Sequence, residues 1–477
     1  MSTATSCPDR VQAALAAFAA KAVVPLDAEL EQAASLTLID AVAVALGALQ
    51  HEAAVAARRY GRLYPVTRGA TIWGTGEIVA PETATLVNGV PLRGYDFNDL
   101  YIGKCGGHPS DILPGLIALA EARSLSGRSL LEAMVVGYEV TVALMDAVNL
   151  KLGGWDYPVI TAIGATCAAC RLLSLSEQQT REALAITVIP HLASLEPESG
   201  DLNARGDLTM WKRFNGSDAT RQAVYATLLA KVGVEGVVRP FEGRYGLWEK
   251  VGATGQEADE LIGRLGTLSV GAAQKKITFK RWPVGSRAQS AIQAALSARG
   301  QLRDVDAIRE VRIHADKQVY EHLVSSRVDA WAPHSRETAD HSLPYIVVAA
   351  LLDGKVNSLS FERTVVTERR RQAFLKERVK AFVAEELSQG AAAGFLCRVE
   401  VIEADGRVVV GEAMAPPGHP LQPFTPDDFR AKFCETVVPM YGKARTDQLY
   451  QALSYINEAA SVGDVVRLMV LPENVRL

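Results

Sequence analysis

Two side chains able to move protons, Asp96 and His108, fall within one irregular stretch, Tyr95 to Asp111, which reads Y-D-F-N-D-L-Y-I-G-K-C-G-G-H-P-S-D. The stretch gathers three acids, a lysine and a histidine in a chain otherwise rich in Ala, Leu and Val. It cannot run as one helix, because Gly103, Gly106 and Gly107 interrupt it and Pro109 disfavours helical dihedrals at His108. Charged, irregular backbone between apolar helices is where catalytic and binding groups concentrate. A histidine titrates near neutral pH, so His108 is the natural proton-transfer group, with Asp96 either orienting it or serving as the second proton carrier.

Three further islands combine charge with backbone irregularity: M-W-K-R-F-N-G at Met210 to Gly216, T-F-K-R-W-P at Thr278 to Pro283, and H-S-R-E-T-A-D-H-S-L-P-Y at His334 to Tyr345. Taken singly, the Lys212-Arg213 and Lys280-Arg281 pairs read as solvated surface pairs over tucked aromatics, and His341 as a structural histidine. Cys167 and Cys170 form a C-x-x-C, but in a small-residue run of helical spacing with no second pair, which reads as two buried core thiols. No arrangement resembles the thiolates of an iron–sulfur cluster or a closed zinc site, so metal-free chemistry without a cofactor is the expectation.

The elements that must position these groups are mostly helical. The chain has 477 residues, more than a single core usually spans, with 48% hydrophobic and 22% charged residues. Six scattered cysteines fit a reducing compartment rather than a disulfide scaffold. A formal net charge of -4 without a basic block argues against a nucleic-acid face and a polybasic membrane patch. The N-terminus lacks a signal-peptide layout, and apolar runs such as Ala41 to Leu49 fall short of the roughly 20 residues that span a bilayer. A soluble cytoplasmic protein is therefore expected.

Apolar periodicity predicts helices over Asp9 to Val24, Leu36 to Leu49, Thr83 to Val90, Ile112 to Ala122, Leu130 to Val148, Val159 to Leu173 and Glu177 to Leu195, the last opened by a Ser176/Gln179 capping box. A polar segment, Glu196 to Ser217, leads to further helices over Asp218 to Val232 and Glu257 to Leu265. The pattern changes near Lys275: Ile308 to His314 alternates as a strand, and Leu396 to Val410 reads as a hairpin through Asp405-Gly406. Helices are expected over Gln289 to Ala298, Leu343 to Leu352 and Arg369 to Glu386, and again over Thr425 to Met469, where T-P-D-D opens the tail. The prediction is a mainly α fold in which a large all-helical domain, residues 1–274 and 415–477, carries an inserted smaller α+β lid, residues 275–414.

Together and in this order, the islands resemble the MmgE/PrpD family. The matching residues are D-F-N-D and H-P-S-D within Asp96 to Asp111, G-W-D at Gly154 to Asp156, M-W-K at Met210 to Lys212, P-F-E-G-R-Y-G-L-W at Pro240 to Trp248, K-R-W-P at Lys280 to Pro283 and R-E-T-A-D-H-S-L-P-Y at Arg336 to Tyr345. A-L-L-D-G at Ala350 to Gly354 and G-H-P at Gly418 to Pro420 extend the likeness over nearly the whole chain. The resemblance implies a homodimer and a metal-free lyase that dehydrates a small tricarboxylate of the 2-methylcitrate type in a pocket between the two domains. By matching position it implies Asp96, His108, Lys212 and Lys280 as the catalytic set, with His341 and Tyr345 beside the substrate. Decarboxylation of the cis-aconitate type, epimerisation of a dicarboxylate, and catalytically idle binding of a small carboxylate are the alternatives.

Three positions depart from the family's dehydratase pattern. Leu100 stands where a threonine is usual, Tyr157 where a histidine often follows G-W-D, and Arg287 where a histidine is common after K-R-W-P. An arginine cannot shuttle a proton at neutral pH but offers a fork suited to a carboxylate. The expectation is that His108 remains as the main titrating group while Tyr157 and Arg287 join the substrate-binding set.

Overall fold

Helices form where the apolar periodicity finds a cap. In the computed structural model, which describes residues 8–198, 203–204, 209–327, 329–388, 395–472, 475 and 477, the capping boxes at Ser176/Gln179 and Thr425/Asp428 open the helices Glu177–Val188 and Pro426–Ser454. The fold is mainly α, with one four-stranded sheet and two short two-stranded ribbons among the described residues.

One hydrophobic core joins the N-terminal helices to the tail: Leu38, Ile39 and Val42 lie in the same apolar cluster as Leu113, Leu131, Tyr138, Phe429, Phe433 and Leu449. A second core is built from residues between Trp282 and Ala413, where the helices Gln289–Arg299 and Leu343–Asp353 cover the sheet. Its strand order is Val379–Val383, Ile308–Ala315, Cys397–Glu403, Val408–Ala413; the first pair is parallel and the others antiparallel. The turn of the hairpin falls at Asp405-Gly406, with Gly406 at a φ of 89°.

Several elements differ from the sequence expectation, among them the helix expected over Glu177 to Leu195, which stops at Val188. The predicted helix Arg369 to Glu386 stops at Arg378, and V-K-A-F-V becomes the strand Val379–Val383, because β-branched and aromatic side chains pair with Ile308–Ala315 at the open edge of the sheet. The predicted polar segment ends earlier than expected: the helix Trp211–Lys231 already contains Lys212, and position 216 within it is a glycine where a Cβ would clash with the Asp111 carboxylate. Finally, the helix Ala28–Gly47 is 20 residues long and apolar enough to cross a membrane by length and composition, longer than the apolar runs suggest. Most of it is buried in this fold, and its only acid beyond the first turn, Asp40, pairs with Lys432 at 2.6 Å.

Candidate active site

The stretch Tyr95 to Asp111 is held open by its own backbone. The helix Pro81–Gly94 ends at Tyr95, and Asp96 adopts a φ of 48°, a left-handed conformation that Asp tolerates better than most residues. A small ribbon pairs Tyr101–Ile102 with Gly106–Gly107, and His108 then caps the short helical turn Pro109–Ile112. Leu100 and Thr278 exchange both backbone hydrogen bonds at 2.8 Å, which ties this loop to the segment carrying Lys280.

These elements enclose a cavity of about 460 Å³. Asp96, His108, Lys212, Lys280, Tyr157, Arg287 and His341 all line it, and so does Leu100. Tyr345 does not: its hydroxyl donates to the Ser360 carbonyl at 2.6 Å and its ring packs against Phe361 in the second core. The expected substrate contact from Tyr345 is therefore replaced by a structural one, since a buried phenol needs a partner and finds it in its own core.

Lys280 is buried and donates to both the carbonyl and the Oδ1 of Asp96, each at 2.7 Å. Arg93 approaches the same carboxylate at 3.4 Å and donates to Asn98 at 2.8 Å. Burial alone would raise the Asp96 pKa, but Lys280 and Arg93 outweigh it and hold the carboxyl well below its usual range.

The tautomer of His108 follows from its partner. Nδ1 lies 2.5 Å from the Asp99 carbonyl, which can only accept, so Nδ1 carries the proton and Nε2 keeps its lone pair. Nε2 stands 3.9 Å from Asp96 Oδ1. Burial, then the charges of Arg93 and Lys280, push the imidazole well below the usual histidine range, so it is neutral at physiological pH. His341 is oriented in the same way by a carboxylate: Nδ1 lies 2.5 Å from Oδ1 of the fully buried Asp340. Burial lowers the His341 pKa, opposed by Asp340. Gly285 lies between the two groups; a Cβ there would sit 3.8 Å from both Asp96 Oδ2 and His341 Nε2.

Lys212 and Tyr157 are each held by an acid. Lys212, in the first turn of its helix, pairs with Glu198 at 2.9 Å. The Tyr157 hydroxyl donates to Asp111 at 2.8 Å, and its ring meets the His108 ring edge to face at a centroid distance of 5.4 Å. Burial pushes Asp99 up to about 7, and Asp111 and Asp156 up to about 6. Arg287 is half-buried with its guanidinium 5.1 Å from the centre of the Phe395 ring, and burial lowers its pKa. Cys167 and Cys170 are buried and free inside the helix Pro158–Leu172. Among the described residues no group of three or more His, Cys, Asp or Glu is arranged to hold a metal ion.

Sequence reasoning missed Arg93, Glu198, His322 and Asp340. Arg93 and Asp340 carried a signal: the first is the only basic residue in the apolar helix Pro81–Gly94, and the second precedes His341. Glu198 and His322 carried none, because cavity membership there depends on long-range folding. Across the lining, six lysines and arginines (Arg93, Lys104, Lys151, Lys212, Lys280, Arg287) face three carboxylates.

Comparison with known proteins gives the family. The MmgE/PrpD N-terminal domain matches residues 13–261 and the MmgE/PrpD C-terminal domain residues 282–454. The cis-aconitate decarboxylase of Homo sapiens is 26% identical over 434 residues, covering 87% of this chain and 85% of its own length. The 2-methylcitrate dehydratase of Cupriavidus necator is 27% identical over 350 residues, covering 70% and 69%. That of Escherichia coli (strain K12) is 25% identical over 371 residues, covering 72% of each chain. With both domain models matched across most of its length, the chain belongs to the MmgE/PrpD family.

Proposed function

We propose that this chain is a lyase that removes a carbon-bound proton beside a carboxylate of a small tricarboxylate, and that the overall reaction is dehydration of the 2-methylcitrate type. The observation that carries this reading is the placement of two oriented imidazoles, His108 and His341, on one cavity with an excess of cations.

Dehydration needs a base and an acid. His108 Nε2, neutral and unprotonated, takes the carbon-bound proton. The C–H electron pair becomes the new double bond as the C–O bond breaks, and the leaving hydroxide takes a proton from Nε2 of His341, which enters this step as the imidazolium formed once substrate is bound, and departs as water. A tricarboxylate brings negative charge beside both imidazoles and raises their proton affinity, and Asp340 directs that gain to His341. Lys280 and Lys212 receive substrate carboxylates, and fixed cations stabilise the charge that builds on the carboxylate next to the reacting carbon.

A second reading is decarboxylation, which is supported by the longer match to the cis-aconitate decarboxylase, 87% of the chain against 70–72% for the dehydratases. That reaction needs only a proton donor to the carbanion, whereas His108 is prepared as a base. The test is ultraviolet absorbance of the conjugated enoic product with 2-methylcitrate, citrate or cis-aconitate, together with measured carbon dioxide. Absorbance growth with 2-methylcitrate is expected. Carbon dioxide from cis-aconitate replaces dehydration by decarboxylation, and thermal stabilisation without any turnover replaces both by binding alone.

A further inference from the structure

Behind the loop Tyr95 to Asp111 lies a buried ion pair that the reaction above does not use. Lys432 Nζ is 2.6 Å from Asp40 Oδ1, 3.1 Å from the Phe97 carbonyl and 3.9 Å from the centroid of the Phe97 ring. Both charged side chains are 1% exposed. Lys432 lies in the helix Pro426–Ser454 and Asp40 in the helix Ala28–Gly47, which belong to the same core. Asp40 serves as the anchor, and the ammonium's remaining hydrogen bond and its cation–π contact both fall on one residue, Phe97.

The neighbour of Phe97 is Asp96, whose φ of 48° a non-glycine residue holds only when its surroundings over-determine it. Lys280 holds the Asp96 carbonyl and carboxylate at 2.7 Å, while Lys432 holds the next carbonyl along the chain. Two consecutive peptide carbonyls are thus each gripped by a lysine from a distant part of the sequence. Neither lysine is needed by a helix or strand for its own hydrogen bonding. Their common effect is on the Asp96 backbone.

We infer that Lys432 is a positioning residue: its grip on Phe97 keeps Asp96 in the left-handed conformation and so fixes where the Asp96 carboxylate stands relative to His108 Nε2 and Lys280. The inference deepens the proposed lyase reading and rests on it for the kinetic part of its test. Lys432 does not line the cavity, so it acts on the site through the loop it holds.

The test is a crystal structure and steady-state kinetics of the double variant Asp40→Leu/Lys432→Met, which removes the pair without stranding a buried charge. The expected structure keeps the fold, shows Asp96 at negative φ and has lost the Lys280–Asp96 carboxylate contact. The expected kcat falls about 100-fold while KM changes by less than about threefold, as a displacement of about 1 Å in the charged groups that surround His108 predicts. An unchanged Asp96 φ overturns the inference, and so does a wild-type kcat. If the double variant does not fold, Lys432→Arg carries the test, since a planar fork cannot reproduce the grip of a compact ammonium: a shifted Asp96 with reduced kcat supports the inference and an unshifted one overturns it. Should the wild type turn over no tricarboxylate, the functional reading fails, while the crystallographic comparison still decides the role of Lys432.

Discussion

Asp340 Oδ1 lies 2.5 Å from His341 Nδ1, and its other carboxylate oxygen lies 3.8 Å from Arg213, with the carboxyl fully buried between them. The aspartate is thus held on one side by a guanidinium and on the other fixes the imidazole's tautomer. Asp340→Asn keeps the shape but allows the wrong tautomer. The expected result is a fall in kcat of about 100-fold or more with the dehydration substrate, at nearly unchanged KM, because orientation and imidazolium stabilisation are lost together. A kcat within about twofold of wild type would remove His341 from the proton-transfer scheme.

His108 titrates well below the usual histidine range, from burial first and then from Arg93 and Lys280. As a base it must be unprotonated, so the acid limb of kcat/KM against pH is expected to lie below the ordinary midpoint of about 6.5. The measurement is a pH profile from about 4.5 to 8.5. An acid limb centred at or above about 6.5 would count against His108 as the base. His108→Gln is expected to abolish turnover while far-UV circular dichroism stays unchanged.

Glu198 meets Lys212 at 2.9 Å in the cavity wall, so in the proposed reaction it competes with substrate for the ammonium. Removing its charge in Glu198→Gln releases the ammonium for a substrate carboxylate. Citrate binding, measured by calorimetry, is expected to tighten by about tenfold, equivalent to about 1.4 kcal/mol. Weaker binding would mean that Glu198 orders Lys212 rather than occupying it.

Gly285 has a φ of -53°, which alanine adopts freely, and its Cβ would meet the protein only at ordinary contact distance. Gly285→Ala is therefore expected to leave the melting temperature within about 2 °C of wild type. The added methyl stands between Asp96 and His341, where substrate must pass, so KM is expected to rise about tenfold. An unchanged KM would place the substrate elsewhere in the cavity.

His51 supplies a stability prediction with a definite sign. Burial, then Arg213 and Arg336, push its pKa down to about 3, and its Nδ1 accepts from the Ala53 backbone at 3.2 Å. The folded chain keeps His51 neutral while the unfolded chain protonates it below about pH 6.5, so wild type loses stability as pH falls from there toward about 3. His51→Gln lacks this proton uptake. Its stability relative to wild type is expected to improve by up to about 1.4 kcal/mol per pH unit below pH 6, read from denaturant melts at several pH values. A gap independent of pH would show that His51 is protonated in the fold.

Most helices were legible because apolar periodicity and capping chemistry are local, as at Ser176/Gln179 and Thr425/Asp428. The strand Val379–Val383 was not, because the charged run Arg369 to Arg378 before it has helical composition and only pairing with Ile308–Ala315 decides its end. Within the site, Asp96, His108, Lys212 and Lys280 stood out by type and irregular context. Glu198 and His322 did not, since nothing near them in sequence marks a cavity wall formed from distant segments. Tyr345 sits in the most motif-like run of the chain, but its hydroxyl is consumed by Ser360, a pairing visible only in three dimensions.

The two lysine grips on the loop also bear on the order in which the molecule is built. Lys280 lies 184 residues from Asp96, and Lys432 lies 335 residues from Phe97. Such contacts close long loops and therefore cost more chain entropy to form than local ones do. Eleven α-helices, from Arg10–Lys21 to Gly255–Thr267, precede Lys280 among the described residues, so during synthesis they emerge before either lysine is available to hold the loop. The N-terminal half alone thus lacks both grips on the loop, and the second is supplied only by the last long helix, Pro426–Ser454.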